Sequence, residues 1–528
     1  MSYYALNYRC KHYHVEKPIL NLYNMQLGRS QTMQFIRKFF TKRNTQMDLT
    51  NGNLFFKFFI FFIPLAFTTV LQLLYTTMDL WTVREFGGGT LSMTAVGSNT
   101  ALINLIVTVF VNMSMGANVA ISQAKGAGDK DKAEKVLHTS LILALISGVF
   151  VGIIGFFLSG ILLKVMNTPA SILDMATDYL KIYFVGLPFL MVYNYGSQIL
   201  RALGDSTKPL LVLLIAGVIN VSFDIIFVKV CGLDVIGVAL GTVCAEATAA
   251  IATVAILATG KSGFVHLNFK KLRIDGESLK KVLVIGFPAG IQGLAFCIPN
   301  VMIQSSLYTI TDYTINGVLI SMDEIMAGSA ASTQVENFAF AFEDAIGVAL
   351  CSFVGQNFGA KKKLNIKKLL FISLTWDLIT CAIAALICGL FSHGLLSVFI
   401  NDSQGIIKEN AIAAGQQRLY IMIFPFILDG IMIIFGDYLR GMNISTPPAI
   451  ITLIGCTGLR ILFLLTLFNL PTFHTIFWLY AAYPISWVLI DLCYIPILIY
   501  FQKKVFKKLD EETSVEANKV LVSSTQSN

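Results

Sequence analysis

Apolar runs long enough to cross a bilayer recur twelve times between Leu54 and Tyr500, and that repetition governs what the chain can fold into. A helix needs roughly 20 apolar residues to span the hydrocarbon core. Backbone polar groups at that depth are satisfied only within helices or closed barrels. The runs fall at 54–80, 95–122, 136–164, 177–201, 208–229, 236–259, 279–308, 326–354, 366–393, 411–439, 448–469 and 475–502. Their length is helical, so an all-α integral membrane protein is predicted. With 55% hydrophobic and 13% charged residues among 528, the chain lies outside the range of soluble domains.

The formal charge of +8 is sided. Basic residues gather in the N-terminal tail, in Lys125–Lys135, Lys261–Lys281 and Lys361–Lys368, and after Tyr500, whereas Thr311–Met322 and Asn469–Thr475 lack them. This is the positive-inside pattern, which puts both termini in the cytoplasm of a multi-pass protein of the cell membrane. No soluble basic face exists for nucleic acid. The nine cysteines are scattered singly without a CxxC, several within apolar runs (Cys244, Cys297, Cys351, Cys381), and read as small core residues. The first 46 residues have no signal-peptide apolar core. Met47 opens MDLTNGNLFFKFFI, which reads as an ordinary start, so the preceding tail is a cytoplasmic extension or an over-called start.

The two halves of the chain repeat. FIPLA at Phe62–Ala66 answers GFPAG at Gly286–Gly290, and the Gln-x-x-Gly-Ala of Gln123–Ala127 returns at Gln356–Ala360. Tyr183–Phe189 and Tyr420–Phe426 share Tyr-x-x-x-x-Pro-Phe, and Leu200–Pro209 matches Leu439–Pro448. Four matches in one order imply two six-helix lobes related by an axis along the membrane normal, with a cavity between them. The expected layout is a tail over 1–46, a first lobe over 47–260 and a linker over 261–278. A second lobe follows over 279–508, with a polar tail over 509–528.

Within the fifth run, Asn220 and Asp224 lie four residues apart, hence on one helix face. A carboxylate at that depth is costly unless it is paired, hydrated or binding something. Thr242, in the next run, offers a further oxygen. The competing role for Asp224 is a structural hydrogen bond within the lobe. Glu336 and Asp429 are further mid-run acids that could face the cavity, and Tyr193, Asn194 and Gln198 could line it or join helices. Asp377, Asp437 and Asp491 lie nearer run ends or lack a nameable partner. Arg440 and Arg460 suit lobe closure better than cargo binding. Pro64, Pro188, Pro288 and Pro425 can bend their helices.

These residues carry a resemblance. From about Asp48 to Lys504 the chain resembles the multidrug and toxic compound extrusion (MATE) family. The matching residues include YNYGSQILRALGDSTKPLLVLLIAGVIN at Tyr193–Asn220, GFPAGIQ at Gly286–Gln292, FVGQNFGA at Phe353–Ala360 and LRGMNISTPP at Leu439–Pro448. The resemblance implies a two-lobed antiporter that rocks between inward- and outward-open states, driven by Na⁺ or H⁺. It puts the cation-coupling roles on Asp79, Asn220, Asp224 and Thr242. The chain departs from the family at Arg84-Glu85, where Gly-Arg is usual, and at Glu246, where Gln is usual. Phe296 occupies a position that is Glu in one branch, although Asp429 matches that branch. The expected activity is export of organic, cationic and amphipathic compounds by a monomer, with no cofactor beyond the coupling ion and no other metal. No P-loop points to ATP-driven transport, and no zinc helix or GxSxG elbow points to an enzyme. The alternatives are a lipid-linked saccharide flippase of the same superfamily, or an intramembrane enzyme using an Asp79–Asp224 dyad.

Overall fold

The computed structural model describes residues 46–260, 263–310, 313–315, 317–400 and 407–526, with backbone alone for 515–526. The predicted tail before Met47 therefore lies almost wholly outside the described residues. Among the described residues eleven helices are long and apolar enough to cross a membrane, and one bent pair, taken as one span, makes a twelfth. The chain is a multi-pass membrane protein.

The first half comprises α1 (Leu54–Phe86), α2 (Thr90–Gly126), α3 (Lys130–Val165), α4 (Ala170–Ala202), α5 (Thr207–Val230) and α6 (Asp234–Ala258). The second comprises α7 (Gly276–Thr309), α8 (Met322–Gly359), α9 (Lys363–Ser397), α10 (Lys408–Ile423 and Ile427–Gly441), α11 (Thr446–Asn469) and α12 (Ile476–Gln526). A short hairpin, β1 (Thr314–Ile315) against β2 (Val318–Leu319), joins α7 to α8. Of the four prolines expected to bend helices, Pro64, Pro188 and Pro288 sit inside continuous helices. Only at Pro425 is the chain broken, by 44°, because proline withholds its N–H and crowds the preceding turn. A π-helical stretch follows Asp224 in α5 (Ile225–Val230), and another precedes Arg460 in α11 (Leu453–Leu459). α12 continues far past the apolar run at 475–502. Its polar extension is tied back through Lys361–Glu512 at 3.9 Å and Lys363–Asp510.

Two cores form, one per half, with exchanged edges. Leu49 and the first turns of α1 (Leu54, Phe58, Phe61, Phe62, Leu65) belong to the second half's core, and Val282 of α7 to the first. The start of α1 thus packs with the second half although it precedes the first in sequence. Phe58 and Phe61 hold α1 there, their rings 5.3 and 5.5 Å from that of Phe353.

At the end carrying the basic loops the halves meet through the repeated Gln-x-x-Gly-Ala. A Cβ on Gly126 would overlap the carbonyl oxygen of Gln356, and one on Gly359 would overlap that of Gln123. The backbones touch because neither glycine has a side chain. Gln123 Nε2 donates to the Gly441 carbonyl at 3.0 Å, and Gln356 Nε2 donates to that of Ala202 at 2.7 Å. Each glutamine thus caps the residue after the arginine of the other half's Leu-Arg motif. Asn118 completes the seam, donating to Gln198 Oε1 at 2.9 Å and Ser352 Oγ at 3.0 Å.

The segment before α1 lies across this closure. Met47 N–H donates to the Gly204 carbonyl at 2.9 Å in the first half, and Asn357 Nδ2 to the Leu49 carbonyl at 2.9 Å in the second. Partial burial works to raise the Asp48 carboxyl, but hydrogen bonds from Asn51 and Thr50 outweigh it and hold the group at about 2. The carboxylate that accepts these bonds is therefore ionised throughout the physiological pH range.

Gly359→Val should hold the halves apart at this end. In a cysteine-free background carrying Ser122→Cys, whose position is fully buried, an impermeant maleimide should react about tenfold faster once Gly359 is replaced. That ratio corresponds to about 1.4 kcal/mol of lost closure. An unchanged rate would show that the glycine contact does not control closure.

Candidate functional site

Asp224 ends the regular part of α5 and is fully buried. It fits because Gly241 of α6 has no side chain: a Cβ there would occupy the Asp224 carboxyl position. Asn220 lies one turn earlier on the same face and is also buried. Asp79, from the last third of α1, meets them with its carboxyl beside Asp224, Asn220 and Thr242. Thr242 Oγ1 donates to Asp79 Oδ2 at 3.2 Å and shares its proton with the Val238 carbonyl at 3.1 Å. The four residues expected to act together therefore converge, from three helices.

The constellation forms the wall of a cavity of about 430 Å³ in the first half. Asp79, Asn220 and Thr242 line it together with Tyr193, Asn194 and Glu246. Asp224 stands behind Asp79 rather than on the cavity surface. Asp79 Oδ1, Asn220 Oδ1, both Asp224 oxygens and Glu246 Oε2 are buried with no hydrogen-bond partner among the described residues. Buried acceptors are normally satisfied, and here those of Asp79, Asn220 and Asp224 lie side by side without a donor of their own. Hard oxygen donors suit an alkali cation, and two adjoining carboxyls equally suit a proton.

Not every expected residue reaches the cavity. Gln198 accepts from Asn118 in the seam between halves. Glu336 is held by Arg418, with Nε to Oε1 at 2.9 Å and Nη2 to Oε2 at 3.0 Å, and it accepts from Ser332 at 2.8 Å. Both carboxylate oxygens are thus taken up within the second half, and Glu336 does not line the Asp79 cavity. Asp429 is buried in the first turn after the α10 bend, with Arg460 as the nearby cation. It too lies in the second half, away from Asp79. Arg440 pairs with Asp437 and donates to Gln292 Oε1 at 2.6 Å, joining α7 to α10.

Some contributors were not expected from the sequence. Tyr179 and Tyr183 line the same cavity from α4; their four-residue spacing was the available signal. Asp234 fixes the turn after Arg84-Glu85, accepting from Gly88 N–H at 2.9 Å and Ser92 Oγ at 2.6 Å. Glu343, Asp377 and Cys381 form a separate buried group in the second half, with ligand atoms within 4.8 Å of one another. Cys381 is therefore not packed solely among apolar groups. Its thiol donates to Glu343 Oε1 at 3.2 Å.

The chain is similar to known proteins along most of its length. The MatE family model matches residues 64–226 and 297–466. The probable multidrug resistance protein YoeA of Bacillus subtilis is 24% identical over 409 residues, covering 76% of this chain and 84% of that protein. An FAD transporter of Shewanella oneidensis is 23% identical, covering 69% and 78%. Among solved structures, a MATE in complex with MaL6 superposes with a TM-score of 0.79 at 18% identity, over 88% of this chain and 100% of that one. With more than half of its length matched by the family model, and with a fold that superposes on that of a solved MATE, the chain belongs to the MatE family of multi-pass transporters.

Proposed function

We propose that the protein is a secondary active exporter of organic cations, coupled to inward movement of Na⁺ or H⁺ at Asp79 and Asp224. The carrying observation is the sign of the first-half cavity. Asp79 and Glu246 line it, tyrosines and asparagines supply most of the remaining polar groups, and no Lys, Arg or His among the described residues faces it. A chamber of that polarity attracts cations and opposes anions. An anionic cargo such as FAD, carried by one relative, would need a basic contact there.

Two carboxyls this close repel when both are charged. Taking up one positive charge removes the repulsion and competes with cationic cargo for the same negative field. Ion binding from outside thus weakens cargo affinity and favours release. With the basic loops on the cytoplasmic side, the glycine–carbonyl seam is the closure that shuts the chamber from the cytoplasm, and rocking the halves opens it. The ion moves that equilibrium only through its differential affinity for the two states, typically about 1–3 kcal/mol.

Expression in an efflux-deficient bacterial host should lower accumulation of a cationic dye, and dissipating the Na⁺ and H⁺ gradients should abolish the effect. Unchanged accumulation with the protein verified in the membrane would contradict the export reading. Imposing each gradient separately on vesicles identifies the coupling ion.

Asp224→Asn should eliminate gradient-driven efflux while the protein still folds, because the amide keeps the shape of the side chain but cannot titrate. Gly241→Val should have the same effect by displacing the Asp224 carboxyl. Full transport by both variants under either gradient would place coupling elsewhere.

A further inference from the structure

The connection from α6 to α7 carries apolar side chains that the helical bundle does not cover. Over Asn268–Asp275 it reads NFKKLRID, with large apolar and basic residues interleaved. Phe269 is 60% exposed, Ile274 49% and Leu272 39%. Val265 and Leu267, just before them, are buried in the first half's core.

The segment is pinned along its length. Leu267 N–H donates to the Leu257 carbonyl at 3.1 Å. Asn268 N–H donates to His138 Nε2 at 3.1 Å, and Asp275 N–H donates to Thr139 Oγ1 at 3.0 Å. Two neighbouring residues of α3 thus hold both ends. Between them Asn268 Oδ1 caps the short turn Phe269–Lys271, accepting from Lys270 N–H at 3.0 Å. A fixed backbone therefore presents these side chains where α6 ends and α3 and α7 begin. That is the side of the basic loops, which the positive-inside pattern makes cytoplasmic.

A cavity of about 550 Å³ lies between the segment and α3. Lys135 and His138 line it from α3, and Lys270, Lys271 and Arg273 from the segment. Asp131, Glu134 and Asp275 also line it. Asp275 is committed to the start of α7, accepting from Ser278 N–H at 2.9 Å and Ser278 Oγ at 2.7 Å. Glu134 lies 3.9 Å from Lys130. None of Lys135, Lys270, Lys271 and Arg273 forms a salt bridge among the described residues.

A soluble phosphorylated compound would answer the bases but leave Phe269, Leu272 and Ile274 in water, and exposed apolar residues grouped in this way mark a contact surface. An apolar partner alone would leave the basic groups unanswered. A molecule with an anionic headgroup and acyl chains meets both demands, and basic pockets at the cytoplasmic ends of spans suit such headgroups. The lining carboxyls give acceptors for headgroup hydroxyls. We propose that this cavity holds the headgroup of an anionic glycerophospholipid, its phosphate between Lys135 and the Lys270–Arg273 bases and its acyl chains beside Phe269, Leu272 and Ile274. The site is separate from the Asp79 chamber and does not depend on the export mechanism.

Native mass spectrometry of the full chain in detergent, titrated with dioleoyl phosphatidylglycerol, tests the site. About one lipid per protein should bind ahead of the rest, and dioleoyl phosphatidylcholine should not replace it. Lys270→Gln with Lys271→Gln and Arg273→Gln should weaken that first step at least about tenfold. Lys503→Gln with Lys504→Gln and Lys507→Gln removes the same charge from α12 and should leave the step unchanged. All six side chains are exposed, so neither variant removes a core contact. Phe269→Ser with Ile274→Ser should also weaken binding, whereas millimolar glycerol 3-phosphate should not displace the lipid. The inference is overturned if no first step stands out, if phosphatidylcholine binds equally, or if the two triple variants behave alike. Unchanged binding by Phe269→Ser with Ile274→Ser, or displacement by glycerol 3-phosphate, would likewise overturn it, the latter by making the cavity a site for soluble phosphates.

Discussion

Carboxyl groups buried without basic partners are the constraint around which this molecule is organised. A charge at membrane depth costs several kcal/mol unless it is neutralised or solvated by the protein. The second half meets that cost internally at Glu336, through a bidentate Arg418 contact, and at Asp437, through Arg440, but not at Glu343, Asp377 or Asp491. At the first-half cavity no acid has such a pair among the described residues. Asp79, Asp224 and Glu246 are left to each other, to Asn220 and to the Thr242 hydroxyl. Arginine pairing makes a rigid strut, whereas an unmatched acid makes a site whose energy depends on a guest.

The two halves place these acids differently on a shared scaffold. Their scaffolds are alike: matched Gln-x-x-Gly-Ala seams, matched Leu-Arg turns, and a π-helical stretch in both α5 and α11. With charged contacts between the halves beside it (Arg201 lies near Asp344, and Lys132 pairs with Glu277 at 3.0 Å), the seam itself is built from backbone contact and neutral hydrogen bonds. Its strength is modest, since each such bond contributes only about 0.5–1.5 kcal/mol net. A closure of that kind is suited to control by an ion worth a few kcal/mol. The Met47–Asn51 segment is bonded to Gly204 on one side and to Asn357 on the other, so the proposed rocking requires it to yield.

Much of this was legible in the sequence because its signals are local or repeated. Span length gave the helices, the repeated motifs gave the halves, and four-residue spacing put Asn220 beside Asp224. Asp79 could be added only through family resemblance, since nothing within α1 tells that its carboxyl meets α5. What stayed hidden depends on contact between distant segments. Glu336 looked like a lone acid because Arg418 lies 82 residues away. Gly241 looked like an ordinary small residue until it proved to hold space for the Asp224 carboxyl. Glu343, Asp377 and Cys381 each resembled an isolated helix residue, and only the packing of α8 on α9 gathers them. The assignment of the start of α1 to the second half's core was likewise invisible, because its phenylalanines would suit either side.

Antagonism between cargo and ion at Asp79 and Asp224 is the central claim, and ion release is its most direct measure. An organic cation added to purified protein in weakly buffered solution, with Na⁺ and pH monitored, should displace about one Na⁺ or H⁺ per cargo bound, as reciprocal coupling requires. Asp79→Asn and Asp224→Asn should bind cargo without that release. Cargo binding with no ion displaced from the native protein, or equal displacement from the variants, would contradict it.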